Sequence, residues 1–218
     1  MTASAFKHAS DETLQRYACG NLKPGLALVM RVHLAGCLSC RANLRRFEAV
    51  GGALLDNLPP AAISPALLEK IFARIDAGDT PREARPTPVL TADGFALPAA
   101  MAGCKIGPWR FVHPKLRWAR VEVPGAETDR VILLKIAAGF AAPAHGHGGL
   151  ELTQVLAGGF TDGRAQYEPG DLVEADESLD DHEPRVTGDE DCLCLAAVEK
   201  PLRIRSLLGR LFQPLMGI

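Results

Sequence analysis

Long hydrophobic runs are missing from this chain of 218 residues. Its longest apolar candidate, residues 26–35, contains Arg31 and His33 and is far shorter than the roughly 20 residues that a membrane-spanning helix needs. Charged residues also interrupt the N-terminus before any apolar region begins, which argues against a secretory segment. We therefore expect a soluble, cytoplasmic protein with no membrane attachment.

A strong charge of either sign is also missing, since the formal net charge is −2. The charge is unevenly placed, because residues 1–78 carry nine Lys and Arg against six Asp and Glu, whereas residues 99–200 carry ten against seventeen. The basic excess of the first part is too small for a dedicated nucleic-acid-binding domain. The asymmetry favours two domains of different kinds, neither of which is expected to bind DNA directly.

Histidine is scarce in the first 100 residues, where only His8 and His33 occur. His33 precedes Cys37 by four residues, and Cys40 follows three residues later. A C-x-x-C turn directs two thiolates at one point, and a His one helical turn upstream adds a third ligand from the same side. His8 can supply the fourth ligand of a His2Cys2 set, which is typical of closed structural zinc sites.

Two other interpretations of this pair of thiols stay open. Cys37 and Cys40 would also suit a hydrophobic core, because free Cys packs as a small apolar residue. A redox-active C-x-x-C would need a preceding strand in a βαβ unit, whereas residues 26–34 have a helical pattern. The six cysteines of a cytoplasmic chain indicate metal binding or redox chemistry rather than a disulfide framework. The spacing favours zinc.

Residues 1–78 have the pattern of a bundle of about four short helices. Ser10 and Ser64 are the expected N-caps of the first and the fourth helix, and Pro65 suits the first helical position. The predicted helices cover residues 11–19, 25–35, about 37–55 and 64–75. Helices this short bury little area, so a metal would help to stabilise the domain. The apolar face of the fourth helix is predicted either to close the bundle or to bind a partner.

The second half of the chain has a different composition and periodicity. Residues 79–98 contain four prolines and little periodicity, which predicts a linker. Residues 99–200 then show regularly spaced β-rich runs that indicate an all-β sandwich or small barrel, and residues 201–218 form a basic tail. The predicted strands include residues 109–112, 119–123, 130–136 and 152–156. The predicted fold class is α+β.

A second cluster of candidate ligands lies in this β-rich part. His145 and His147 are two residues apart, so a strand places both on one face. Glu151 can return to the same point after the bend at Gly148 and Gly149, and His182 is the one His that follows. This mixed nitrogen and oxygen set suits zinc, iron or manganese. The alternative, a solvated polar loop, does not explain why three donors fit one geometry.

Cys192 and Cys194 alternate with apolar residues in another predicted strand. Period two places both thiols on the same face. They are expected either to belong to the barrel core or to form a redox-active pair, and the second role requires thiolate character and access.

The spacing around the second cluster resembles the first cupin motif, whose fixed positions are matched by Gly139, His145, His147, Glu151 and Gly158. The second cupin motif is present in part. Its turn resembles residues 169–171, but His182 comes several residues later than in the motif and the closing Asn is absent.

Together, the two halves resemble the ChrR family of zinc-binding anti-sigma factors over nearly the whole chain. The resemblance implies a regulator without enzymatic activity that binds one extracytoplasmic-function sigma factor in a 1:1 complex. It also implies two zinc ions and a cupin domain that senses singlet oxygen or organic peroxide. The implied zinc ligands are His8, His33, Cys37 and Cys40 in the first domain and His145, His147, Glu151 and His182 in the cupin domain, where Cys192 and Cys194 match the redox pair.

Two functions of other classes stay open at this point. A cupin metalloenzyme of the dioxygenase or isomerase type would use the second cluster for turnover, with the helical domain as an accessory. A zinc-finger transcription factor would bind DNA through residues 1–78, but the small positive charge of that segment makes this a weak alternative.

Overall fold

The computed structural model describes residues 7–78, 91–179 and 182–204, without the side chains of residues 203 and 204. Most of the predicted linker and most of the predicted tail lie outside these ranges. The helices of the described part are α1 (Asp11–Ala18), α2 (Pro24–Gly36), α3 (Leu38–Asp56) and α4 (Leu67–Asp76), with one 3-10 turn at Ala99–Met101.

The described residues after α4 form antiparallel strands of two to seven residues, joined by turns and loops. They are β1 (Thr91–Ala92), β2 (Phe95–Ala96), β3 (Lys105–Ile106), β4 (Arg110–His113), β5 (Leu116–Glu122), β6 (Arg130–Ile136), β7 (His145–Gly146), β8 (Glu151–Ala157), β9 (Phe160–Thr161), β10 (Gln166–Tyr167), β11 (Leu172–Ala175), β12 (Arg185–Val186), β13 (Cys192–Val198) and β14 (Arg203–Ile204). This order of helices followed by a β-rich domain confirms the predicted α+β class.

The first and fourth helices begin in different ways. Ser10 caps α1 as predicted, because its hydroxyl accepts a hydrogen bond from the Thr13 N–H at 3.1 Å. The predicted cap at Ser64 is wrong. The N–H of Leu67 donates instead to the Ser64 carbonyl at 2.9 Å, so residues 64–67 form a turn and α4 begins after it without a side-chain cap.

Helices α2 and α3 meet at the C-x-x-C segment. Cys37 has an extended backbone (φ −91°, ψ 106°) that ends α2, and its thiol accepts a hydrogen bond from the Cys40 N–H at 3.4 Å at the start of α3. The two helices are bent by 117° at this break. No single helix of the described residues is long and apolar enough to cross a membrane. Only α2 and α3 taken together reach that length and composition, and they are bent at the break.

A seven-stranded sheet forms one wall of the barrel. Its strand order is β11-β8-β13-β6-β5-β3, with β4 also paired to β5, and a second sheet of order β10-β9-β12 faces it. Between the sheets lies an apolar interior that includes Val155, Val173 and Cys194 from the large sheet and Phe160 and Tyr167 from the small one. The barrel therefore has a core of its own.

The outer face of the large sheet is covered by α2, which packs on β8, β13 and β6. Leu28, Val29 and Met30 of α2 have no exposed surface, and they share one core with Leu152 of β8 and Leu195 of β13. Every residue of β13 is buried as a result. The helices and the barrel are thus joined by a continuous hydrophobic core rather than by a chain connection alone.

Polar contacts fix the position of the helices on this sheet. The carboxylate of Glu174 accepts hydrogen bonds from the Ser10 N–H, the Ser10 hydroxyl and the Thr13 hydroxyl at 2.8–2.9 Å. At the start of α2, the N–H of Gly25 donates to Asp129 at 2.7 Å. Within the predicted linker, residues 91–98 include the hairpin of β1 and β2, and Ala92 and Leu97 are buried in the shared core.

The far end of α3 and all of α4 differ from the other helices in exposure. No residue of α4 is buried, and Phe72 is 55% exposed. Among the described residues, α4 therefore does not close the helical bundle. The large hydrophobic residues exposed in this region are Val50, Leu54, Leu55, Leu58, Ile63, Leu67, Leu68, Ile71, Phe72 and Ile75.

Gly25 provides a test of the close packing between α2 and the sheet. A Cβ at this position would lie 2.6 Å from Cγ2 of Val131, which is a stiff side chain in β6. We expect Gly25→Ala to lower the free energy of unfolding by about 1–3 kcal/mol in chemical denaturation, as overpacking does.

Gly51→Ala is the matched control, since Gly51 lies within α3 and a Cβ added there would meet no atom within 4 Å. For Gly51→Ala we expect the free energy of unfolding to rise by up to about 1 kcal/mol, because Ala has a higher helix propensity than Gly. Equal effects of the two substitutions would contradict the close approach of α2 to β6.

Candidate metal centres

The four predicted donors of the helical part converge at the junction of α2 and α3. Donor atoms of His8, His33, Cys37 and Cys40 all lie within 4.8 Å of one another. Nε2 of His33 is 3.3 Å from Sγ of Cys40, and Nδ1 of His8 is 3.3 Å from Sγ of Cys37. His8 reaches this point because α1 packs against α3 and directs the preceding segment back to the junction.

These distances fit a tetrahedral ion. Zinc with its usual bond lengths to nitrogen and sulfur separates neighbouring N and S ligands by about 3.6 Å, close to the spacing seen here. Two imidazoles and two thiols are also the donor set of structural zinc sites. The site thus has both the geometry and the chemistry for zinc, and the ligand assignments remain our prediction.

The environment of this cluster is set partly by the barrel. Nδ1 of His33 is 3.0 Å from Oε1 of Gln154 on β8, and both residues are buried. Burial lowers the pKa of His33, which favours the neutral ring that a metal requires. Burial raises the pKa of the Cys40 thiol to about 11, so binding of an ion would have to displace its proton.

Three histidines form the second cluster inside the barrel. His145 lies on β7, His147 follows it, and His182 is brought opposite by a backbone bridge to His145, with N···O distances of 3.1 and 3.2 Å. Nε2 of His182 lies 3.1 Å from Nε2 of both His145 and His147. Nitrogen ligands of a tetrahedral zinc are about 3.3 Å apart, so these three atoms suit one face of a coordination shell.

Glu151 lies beside this cluster but not among its converging nitrogens. Its Oε2 is 3.1 Å from Nδ1 of His147, on the far side of that ring, and its Oε1 accepts a hydrogen bond from Thr153 at 2.9 Å. Although burial opposes ionisation, His147 and His145 lower the pKa of Glu151 to about 2. The role of Glu151 as a metal ligand remains a prediction.

Several polar atoms of the barrel site are buried without hydrogen bonds. Among the described residues, Nδ1 of His147, Oε2 of Glu151 and Nδ1 of His182 make ion-pair contacts but no hydrogen bond of good geometry. Native proteins leave few such atoms unsatisfied, and those that occur call for an explanation. Each of the two Nδ1 atoms faces a carboxylate, Glu151 for His147 and Asp162 for His182, which is the arrangement that orients a metal-ligating His whose Nε2 binds the ion.

Asp162 lies beside the ring of His182, and no sequence motif predicts this contact. Its Oδ2 lies 3.7 Å from Nδ1 of His182, and it is bound by the side chain of Arg164 and by two backbone N–H groups. Burial raises its pKa, but these contacts outweigh burial and hold the pKa of Asp162 well below its usual range. Nothing in the sequence links this turn residue to a His twenty positions later.

An apolar cavity adjoins the histidines. Its volume is about 110 Å³, and His145, His182, Glu151 and Thr153 are the polar side chains of an otherwise mainly aliphatic lining. Cys194 also reaches the cavity. Small uncharged molecules are the class of compound that suits such an apolar space.

The thiols of Cys192 and Cys194 are buried 3.6 Å apart. The hydrogen bond to Cys192 and burial raise the pKa of Cys194 well above its usual value, so the ionisation that redox chemistry needs is suppressed. Residues i and i+2 of a strand are also about 6.6–6.8 Å apart at Cα, the upper limit for a disulfide. The structure thus favours the core interpretation for the resting state.

The fold and its two clusters define a class: a cupin-like barrel with a histidine centre, joined to a helical unit with a His2Cys2 centre. Residues 99–200 match the model of the ChrR cupin-like domain. The chain is 39% identical to the anti-sigma-E factor ChrR of Cereibacter sphaeroides, over 97% of this chain and 98% of that protein. It therefore belongs to the ChrR family.

One solved structure with high similarity agrees with this assignment. The crystal structure of Rhodobacter sphaeroides SigE in complex with the anti-sigma ChrR contains a chain that matches with a TM-score of 0.70 and 35% identity, over 88% of this chain and 98% of that one. An RmlC-like cupin protein of Ralstonia eutropha is 19% identical, with a TM-score of 0.39 over 47% of this chain and 68% of the other.

Thiol labelling tests the burial of the cysteines. Cys19 is the one exposed cysteine of the six, and Cys104, Cys192 and Cys194 are buried. We expect a thiol reagent to label one site rapidly in the native, zinc-loaded chain, and Cys19→Ser to remove that fast phase. All six thiols should react in denaturant with a chelator. Fast native labelling of Cys192 or Cys194 would contradict their placement.

Proposed function

We propose that this protein is an anti-sigma factor that sequesters an extracytoplasmic-function sigma factor in a 1:1 complex and releases it under oxidative stress. The observation that carries the first part is the identity of 39% with the anti-sigma-E factor ChrR over nearly the full length of both chains. That relative is a regulator, so we do not propose an enzyme. A sigma factor acts in the cytoplasm, where we place this protein.

The structure supplies a surface for such a partner. The far end of α3 and the whole of α4 expose large apolar side chains that the described part of the chain leaves uncovered. Contiguous patches of this kind mark interaction sites, and an amphipathic helix commonly docks in a partner's groove. We propose that the apolar face of α4 binds the sigma factor.

The two centres have different proposed roles. Zinc held by His8, His33, Cys37 and Cys40 would fix the junction of α2 and α3, and with it the direction in which α3 leads to α4. A second zinc would be held by His145, His147 and His182, with Glu151 as the predicted fourth ligand. When bound, this ion supplies stability to the barrel rather than turnover.

Sensing is assigned to the barrel centre. Singlet oxygen or an organic peroxide is small enough to enter the apolar cavity beside His145 and His182, and Cys194 also faces that space. Oxidative modification of a histidine ligand or of a thiol would remove a donor or introduce a polar group into the core. Because β8 and β13 are covered by α2, loosening of the barrel changes the support of the helical unit.

A charge on the apolar face of α4 tests the proposed interface. We expect Phe72→Glu to weaken binding of a co-expressed cognate sigma factor by tenfold or more, because a carboxylate would be buried against an apolar groove. Copurification identifies the sigma factor, and titration of the purified proteins measures the affinity.

Ala73→Glu is the matched control, because it places the same charge on the opposite, solvent-facing side of α4. The affinity of the Ala73→Glu variant for the sigma factor should stay within about twofold of the wild-type value. Unchanged binding by Phe72→Glu would move the interface away from this face.

Removal of two imidazoles tests the sensing role. We expect the double variant His145→Ala/His147→Ala to bind the sigma factor and to lose release of it during exposure to singlet oxygen, as followed by size-exclusion chromatography. His113→Ala is the control, since His113 is an exposed histidine outside both clusters. Normal release by the double variant would refute the assignment of sensing to this site.

A further inference from the structure

Gln154 is a buried polar residue that the proposed function does not yet use. It lies on β8 between Thr153 and Val155, in a strand that is otherwise mostly apolar, and only 3% of it is exposed. The Gln154 side chain points out of the barrel toward α2, on the same face as Leu152. A buried amide needs partners for both of its ends, so the identity of these partners indicates its role.

The amide orientation follows from its hydrogen bonds. Nε2 of Gln154 donates to the carbonyl of Val155 at 3.1 Å, which leaves Oε1 as the acceptor that faces His33. Nδ1 of His33 therefore carries the proton and donates to Oε1 at 3.0 Å. The other ring nitrogen, Nε2, is then unprotonated and faces Cys40, where the metal would bind.

We propose that Gln154 is a positioning residue of the helical zinc centre, supplied across the interface by the barrel. It fixes the tautomer and the ring orientation of His33 in the state that binds the ion. The proposal rests on the zinc centre of the proposed function and not on binding of the sigma factor.

This arrangement matches a general rule of metal sites. A ligating His nearly always donates its second N–H to a carbonyl, carboxylate or water, and loss of that partner typically costs 10–100-fold in metal affinity. Here the partner is not part of the helical unit that holds all four ligands. The retention of zinc by that unit thus depends on contact with the barrel.

Strand β8 also carries Glu151, which contacts the barrel centre. Glu151 and Thr153 face the cavity on one side of the sheet, and Gln154 faces the helices on the other side. Glu151 and Gln154 are three residues apart, or about 10 Å along the strand. A shift of β8 at the barrel centre would therefore move the acceptor of His33 directly, without any intervening element.

Cobalt binding to the full-length chain tests the proposal. Thiolate-to-cobalt absorption reports the helical centre, because of the two clusters only that one contains cysteines. Titration against a competing chelator at fixed pH then gives the apparent dissociation constant for the metal. We expect Gln154→Met, which keeps the size but removes the amide, to weaken cobalt binding at this centre by 10–100-fold.

The conservative variant separates positioning from packing. Gln154→Glu keeps an acceptor for Nδ1 of His33, so we expect an affinity within about threefold of the wild-type value or tighter. Gln154→Asn, which withdraws the amide from the ring, should resemble Gln154→Met and serves as the second variant if Gln154→Met does not fold. A loss as large in Gln154→Glu as in Gln154→Met would overturn the proposal.

Asp129→Ala is the matched interface control. It removes the hydrogen bond to Gly25 at the other end of α2, about 12 Å from His33 along the helix, and touches no candidate ligand. Its cobalt affinity should be unchanged. Equal weakening by Asp129→Ala would show that general loosening of the interface, and not Gln154, is responsible.

Two further outcomes are decisive. Wild-type affinity in folded Gln154→Met would overturn the proposal while leaving the zinc centre intact. Absence of thiolate-to-cobalt absorption in the wild-type chain would instead contradict the centre itself, and the role of Gln154 with it.

Discussion

Burial of the large sheet on both faces is the constraint on which the rest of the structure depends. Every residue of β13 is buried, because the barrel interior covers one face and α2 covers the other. Gly25 permits the close approach of α2 to β6, and hydrogen bonds to Asp129 and Glu174 fix the direction in which the helices cross the sheet. The helical unit is therefore held in place by packing and hydrogen bonds to the barrel sheet.

This packing determines where the two candidate centres lie relative to each other. The histidine centre is inside the barrel, whereas the His2Cys2 centre is on the outer side of the same sheet, where α1, α2 and α3 meet. Strand β8 contributes a side chain to each, with Glu151 beside His147 and Gln154 beside His33. A single strand therefore links the candidate centre beside the apolar cavity with the candidate centre at the junction of the helices.

Local chemistry explains what could be predicted from the sequence. His33, Cys37 and Cys40 lie close in the chain, and His145 and His147 share a strand face by period two, so their grouping follows from spacing. The four helices and the four longest strands, β5, β6, β8 and β13, follow in the same way from periodicity. His8 also lies at the first centre, although its contact with the other three donors is long-range.

Contacts between distant segments explain what could not be predicted. Asp162 and Gln154 support His182 and His33 across 20 and 121 residues, and neither has a motif. A polar residue within the apolar run of β8 was the one available signal for Gln154. The exposure of α4 was equally hidden, because an amphipathic pattern is the same whether its apolar face meets the chain's own core or another protein.

The free energy that each contact contributes decides whether its loss can act as a switch. To change a complex from mostly bound to mostly released, a signal must alter the balance of states by about 5 kcal/mol. One hydrogen bond across the interface, such as that of Gln154, contributes only about 1 kcal/mol, whereas a structural zinc contributes on the order of 10 kcal/mol. Under the proposed function, loss of a metal from the barrel centre would be large enough to drive release, whereas loss of a single hydrogen bond would not. Gln154 would then adjust how firmly the helical centre holds its ion as the sheet beneath it shifts.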